Sequence, residues 1–227
     1  NLIVGSHFRQ CYLAIICNNG SPININMLES YFTKSIDTPL INDPWPHQII
    51  EKHIEESQFK ILQEDCQQLL NIKTDKLFYV LPRDFKKHNI NWYDQIYEIS
   101  RKLLDNVKQL VEVYPKYRWW GDHVIHSYIG VTPPKPYEFK IHYETGAKIW
   151  SSVTYVTPET NAGTKLYTEN SKDAFVKEVE WKPNSTFNFC GQDNQTWHSY
   201  NSTEESNRIT LNFFIKQRYK TKEYFLD

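Results

Sequence analysis

Cysteine is scarce in this chain, and the four present, Cys11, Cys17, Cys66 and Cys190, are scattered. That is too thin for the disulfide framework of a small secreted domain, and none forms a CxxC pair suited to zinc or redox chemistry. A reducing compartment fits, and a cytoplasmic location is the expectation. The Asn-x-Thr acceptor patterns at Asn184, Asn194 and Asn201 would matter only in a secreted protein, and in so Asn-rich a sequence they read as chance. Charge of one sign is also missing. Twenty-six basic residues against 27 acidic ones leave a formal charge of -1, so no global field draws the protein to nucleic acid or to an anionic membrane. Long apolar runs are absent too. The longest, Cys11-Tyr-Leu-Ala-Ile-Ile-Cys17, falls well short of the roughly 20 residues of a membrane-spanning helix and reads as a buried strand. The sequence starts at Asn1 without an initiator Met, which is compatible with a removed leader or an earlier segment. No heptad or unpaired edge indicates an oligomeric state.

What remains is 227 residues with 40% hydrophobic and 15% aromatic content, enough for one well-buried core with a helical annex. No repeat or linker interrupts it, but its texture changes near residue 120. Residues 1–120 are expected to form a mixed helical region packing on a barrel, and residues 121–227 the barrel itself, within one structural domain. In the first part, Ile54, Ile61, Leu62, Cys66 and Leu69, then Ile96, Ile99, Leu103, Val107 and Leu110, follow helical spacing. Asn91 is placed to cap the second helix and Pro115 to stop it. Leu77 to Leu81, closed by Pro82, reads as a strand.

After residue 120 come short apolar or alternating runs: 124–131, 137–143, 149–156, 163–167, 176–181, 186–189, 196–200 and 209–215. Their closeness leaves no room for crossover helices, so the sheets should be antiparallel. A succession of this kind predicts a mostly β jelly roll or barrel with helical N-terminal support.

Most of the histidines stand without a carboxylate at ligand spacing. His142 differs: it ends a predicted strand, and Glu144 lies two residues on, on the same face of extended chain. His198, in Gln-Thr-Trp-His-Ser-Tyr, follows after enough strands to bring the chain back across a sandwich. Two imidazoles and one carboxylate leave three positions open on an octahedral ion, the arrangement used by non-haem iron(II). Zinc hydrolysis tolerates the same ligands. Arg208 favours iron. It lies ten residues beyond His198 on the expected adjacent strand, where a buried guanidinium costs several kcal/mol unless an anion pairs with it. Its planar fork suits the far carboxylate of a dicarboxylate, and Thr210, facing the same way, adds a hydroxyl. The pair makes a place for 2-oxoglutarate. Tyr128 and Tyr137, on the two strands before the site, are candidate donors to that co-substrate, with core packing the commoner role. Lys148 is a further candidate cation near the co-substrate, although solvent is its preferred direction.

The ordered set His142-x-Glu144, Lys148, Gly163-Thr-Lys-Leu-Tyr167, Trp-Lys-Pro-Asn184, Trp197-His198 and Arg208-x-Thr210 resembles the iron(II)- and 2-oxoglutarate-dependent dioxygenases, especially their prolyl-hydroxylase-like branch, over residues 124 to 216. The resemblance implies a double-stranded β-helix of the cupin-like kind. It places the first histidine and acid after the second strand, the second histidine on the seventh and the 2-oxoglutarate arginine on the eighth. It further implies Fe(II), 2-oxoglutarate and O₂ as cofactor and co-substrates, with hydroxylation of a small-molecule or peptide substrate and release of succinate and CO₂. Glu144 departs from the aspartate of most relatives. Because the acid is kept, the resemblance argues for hydroxylation over chlorination. Other readings are a cupin-like or sugar-modifying metal barrel that does not use 2-oxoglutarate, a degenerate barrel in which Arg208 pairs with Glu144, and an interaction protein gripping a partner through Trp119, Trp120 and Trp150. Substrate-choosing loops carry no legible code.

Overall fold

The computed structural model describes residues 38–91, 123–144 and 148–217. The expected strand at Cys11–Cys17, the second helix and the Trp119–Trp120 pair lie outside them. In chain order the elements are β1 (His47–Ile50), α1 (Glu56–Cys66), β2 (Phe78–Val80), β3 (His123–Thr132), β4 (Glu138–His142), β5 (Lys148–Thr157), β6 (Thr164–Tyr167), β7 (Phe175–Val179), β8 (Thr186–Phe189), β9 (Trp197–Asn201) and β10 (Arg208–Gln217). Each of the eight runs expected after residue 120 is a strand, β3 to β10. They form two antiparallel sheets, β1-β8-β5-β10-β3-β2 and β4-β9-β6-β7. This is a double-stranded β-helix, and its larger sheet is extended by β1 and β2 from the N-terminal part of the chain. No helix among the described residues is long and apolar enough to cross a membrane. Cys66 and Cys190 are buried free thiols.

The alternation along β10 shows how the sequence builds two surfaces at once. Ile209, Leu211, Phe213 and Ile215 are buried in an apolar cluster that includes Phe59, Leu62 and Cys66 of α1 and Val131 of β3. Each such side chain stabilises the fold by roughly 1.5–3 kcal/mol. The intervening Arg208, Thr210, Asn212 and Phe214 line a cavity between the sheets. A second cluster, with Trp45, Tyr155, Leu166, Trp181, Phe187 and Phe189, fills the space beside that cavity.

Helix α1 is capped by Glu55, whose carboxylate accepts from the backbone N–H of Ser57 at 2.9 Å. Its buried stripe is Phe59, Leu62 and Cys66, continued by Leu69 in the following 3-10 turn. The expected membership of Ile61 is corrected: it is 40% exposed. At 100° per residue it lies about 200° round from Phe59, on the opposite face. Ile54 is buried but precedes the helix.

One glycine is dictated by close approach. A Cβ on Gly163 would stand 1.7 Å from the carbonyl oxygen of Val179, where β6 begins beside β7. Its N–H donates to Glu178 Oε1 at 2.6 Å, which fixes the loop just ahead of it.

Candidate metal and co-substrate site

The cavity has a volume of about 190 Å³, and its two ends differ in chemistry. At one end His142 and His198 face each other as register partners on β4 and β9. Their ring centroids are 4.2 Å apart. A register shift between Phe139 and His142 precedes the pairing and re-aims His142 at the strand's end. Glu144 lies two residues beyond β4, outside the ladder, yet turns inward and is 8% exposed. One ligand atom from each of His142, Glu144 and His198 lies within 4.8 Å of the others. Donors sharing an ion at about 2.0–2.2 Å each stand no more than about 4.4 Å apart, so ligation draws this set in slightly.

Both histidines are held by the same local device. Nδ1 of His142 bonds the carbonyl of Lys140 at 3.0 Å, and Nδ1 of His198 bonds the carbonyl of Thr196 at 2.8 Å. A carbonyl only accepts, so each Nδ1 carries the proton and each Nε2 keeps its lone pair for a metal. Burial, then the neighbouring His142, lowers the His198 pKa to about 3; burial also lowers that of His142. Both rings are therefore neutral at physiological pH. Burial pushes the Glu144 carboxyl up, but Lys148, His198 and His142 outweigh it and hold the group below the usual range, ionised. Two neutral imidazoles and one carboxylate on one side of a cavity fit an ion with open positions facing that cavity.

Arg208, the first residue of β10, is at the other end. It is 2% exposed, its Nε reaches the carbonyl of Ala162 at 3.5 Å, and its Nη2 is buried without a hydrogen-bond partner. The rings of Trp181, Tyr200 and Tyr155 surround the guanidinium at 4.6, 4.7 and 5.4 Å. Cation–π attraction to three rings compensates part of the burial but leaves the fork unpaired. The alternative pairing with Glu144 is not realised, because Glu144 is bound by Lys148 at 2.5 Å. Thr210 accepts from Asn212 Nδ2 at 2.9 Å, which leaves its own O–H to donate into the cavity. Gly130, opposite Thr210 across β3 and β10, keeps this floor open, since a Cβ there would stand 2.9 Å from Thr210 Oγ1.

The remaining expected residues divide. Tyr128 lines the cavity and packs at once, with Tyr79 at 4.4 Å and Phe214 at 5.5 Å between ring centroids. Tyr137 is not among the lining residues. It lies one residue before β4, where its backbone carbonyl accepts from Ser202, and Tyr200 stands at the arginine instead. Lys148 does not turn to solvent: it caps Glu144 and lies 4.3 Å from the Phe214 ring centroid. Sequence reasoning missed Tyr200, although its position two residues after His198 on an extended strand pointed it to the same face. It also missed Tyr79, Asn212 and Trp181.

No protein-family model and no curated protein sequence matches the chain. Solved structures do. A prolyl hydroxylase from Trichoplax adhaerens, in complex with a hypoxia-inducible-factor oxygen-degradation-domain peptide fragment, superposes with a TM-score of 0.51 at 12% identity, over 78% of this chain and 86% of that one. A prolyl-4-hydroxylase from Pseudomonas putida gives a TM-score of 0.47 at 13% identity, over 76% of this chain and 85% of that one. The double-stranded β-helix is thus shared with an enzyme of known chemistry. At such identity the likeness speaks to fold, and the argument for function returns to the site.

Proposed function

We propose that this protein is an iron(II)- and 2-oxoglutarate-dependent oxygenase that hydroxylates its substrate, with His142, Glu144 and His198 holding the metal and Arg208 and Thr210 the co-substrate. The observation that carries the proposal is the buried, unpaired Nη2 of Arg208 at the far end of the cavity that the three ligands share. A metal barrel without a diacid ligand has no use for that charge, whereas a bidentate carboxylate satisfies it. The fold shared with a prolyl hydroxylase supports the same reading.

Held by these residues, iron and 2-oxoglutarate would supply the oxidising chemistry, with one atom of O₂ going to succinate alongside CO₂ and the other to a substrate C–H bond. The chain's own residues orient and enclose. The carbonyls of Lys140 and Thr196 fix the two rings with Nε2 unprotonated, and one ligand atom of each ring lies within 4.8 Å of the other. Arg208 and Thr210 would hold the distal carboxylate of the diacid and so orient it. Trp181 and Tyr155, both buried, and the partly buried Tyr200 surround the guanidinium and keep water from competing for it.

The test is turnover of 2-oxoglutarate with iron and ascorbate across pools of small molecules and peptides, read as succinate. Wild-type protein should form succinate in an O₂-dependent manner. Full turnover by a His198→Ala protein would end the proposal.

A further inference from the structure

The alternation of β10 that brings Phe214 to the cavity continues to Lys216, which stands beyond the cavity lining at its mouth. Lys216 is the next residue on that face, its Nζ 5.8 Å from the Phe214 ring centroid, and it is the register partner of Lys148 on β5. His126 pairs with Phe214 across β3, and its proton affinity is lowered by burial and then by Lys216 and Lys148. Among the described residues, the carboxylate whose charge reaches Lys216 is Glu144, the one already bound by Lys148. The mouth on the metal side is therefore basic, and it adjoins an aromatic wall of Tyr79, Tyr128 and Phe214.

A charge balance of the filled site sharpens this, and it rests on the function proposed above. Iron(II) with Glu144 leaves one positive charge. 2-Oxoglutarate brings two negative charges, and Arg208 brings one positive, so these groups cancel. Lys148 and Lys216 then contribute two positive charges that no carboxylate among the described residues offsets. Once Glu144 is engaged by a metal, Lys148 loses much of its present counter-charge, in a position only 25% exposed. A partly buried ammonium there is costly without an anion.

We infer that the substrate carries an anionic group, a carboxylate or a phosphate, received by Lys148 and Lys216 at the metal end of the pocket, with its apolar body against Tyr79, Tyr128 and Phe214. A neutral substrate would leave both ammonium groups without a counter-charge from the described residues, and a cationic one would be repelled. Because Lys148 Nζ already lies 2.5 Å from Glu144, the anionic group sits close to the carbon that is oxidised.

The experiment splits a cell extract of small molecules and peptides on an anion exchanger and adds each fraction to iron-loaded protein with saturating 2-oxoglutarate. The readout is isotope-labelled CO₂ from 2-oxoglutarate labelled at C1, and calorimetry of 2-oxoglutarate binding is run in parallel. Stimulation should be confined to the retained, anionic fraction. Lys216→Gln should raise the amount of that fraction needed for half-stimulation by about tenfold, as expected for loss of one charge-assisted contact, with 2-oxoglutarate affinity unchanged. Lys216 carries the test because it does not touch Glu144; Lys148→Gln should show the same rise together with weaker metal binding. Stimulation by the unretained fraction, no stimulation by either while 2-oxoglutarate still binds, or an unaltered Lys216→Gln protein would overturn the inference. Failure of 2-oxoglutarate to bind the metal-loaded protein would instead remove the function on which it rests.

Discussion

Replacing Arg208 by Met separates a ligand-binding arginine from a structural one. In the ligand-free protein the guanidinium has one long hydrogen bond, three ring faces and an unpaired Nη2. Rings return about 0.5–2 kcal/mol each at best, and burial of the charge costs several kcal/mol. The two nearly cancel, so Arg208→Met should shift ligand-free stability by no more than about 2 kcal/mol. Binding is another matter: loss of one partner of a buried, hydrogen-bonded charge pair costs about 2–5 kcal/mol, or at least about 30-fold in Kd. At a 2-oxoglutarate concentration 100 times the wild-type Kd, the diacid stabilises the wild type by about 2.7 kcal/mol, and the variant should keep less than about 0.9 kcal/mol. Thermal unfolding of the manganese(II)-loaded proteins, with and without the diacid, gives all four numbers. An Arg208→Met protein that melts far below the wild type without ligand, yet gains the full diacid shift, would refute the reasoning.

Other consequences follow from the same geometry. His142→Ala, Glu144→Ala and His198→Ala should each abolish stoichiometric metal binding in calorimetry, and chelation of wild-type metal should abolish succinate formation reversibly. His53 and His47 are buried, and burial lowers their pKa values to about 3 and about 4. Below pH 6.5 the unfolded chain binds protons that the folded one refuses, so stability present above pH 6.5 is lost as pH falls toward those values. The loss is on the order of 1.4 kcal/mol per pH unit for each ring, and His53→Gln should flatten the acid limb of a denaturation series between pH 6.5 and 4; an unchanged slope would count against the burial argument. Gly163→Ala must push β6 from β7 at the Val179 carbonyl and should cost at least about 1–3 kcal/mol in urea unfolding. It should also weaken 2-oxoglutarate binding, because the adjacent Ala162 carbonyl steadies Arg208.

The strands of the double-stranded β-helix were legible because each carries its alternation locally: in β10, Ile209, Leu211 and Phe213 face one way and Arg208, Thr210 and Asn212 the other. The clustering of His142, Glu144 and His198 was legible for the same reason, since a period of two and the return of His198 across the sandwich follow from strand counting. What could not be read is what depends on neighbours distant in sequence. Tyr79 reaches the cavity only because β2 pairs with β3, and nothing near residue 79 announces that. The direction of Lys148 is set by its ion pair with Glu144, an attraction that strand periodicity does not encode. Ile61 was misread because an apolar residue beside Leu62 satisfies a loose helical template while facing the other way. Tyr137 looked equivalent to Tyr128, but it sits just ahead of its strand, where alternation no longer governs direction.

The proposed function stands or falls with one cavity taking a metal at one end and a diacid at the other. Diffraction from crystals grown with manganese(II) and 2-oxoglutarate under anaerobic conditions tests it most directly. The expected result is anomalous density bonded to Nε2 of His142, Nε2 of His198 and the carboxylate of Glu144, with the distal carboxylate of the diacid forked onto Arg208 and within reach of Thr210 Oγ1. Metal density away from these three side chains, or a diacid bound elsewhere while Arg208 stays unpaired, would contradict it.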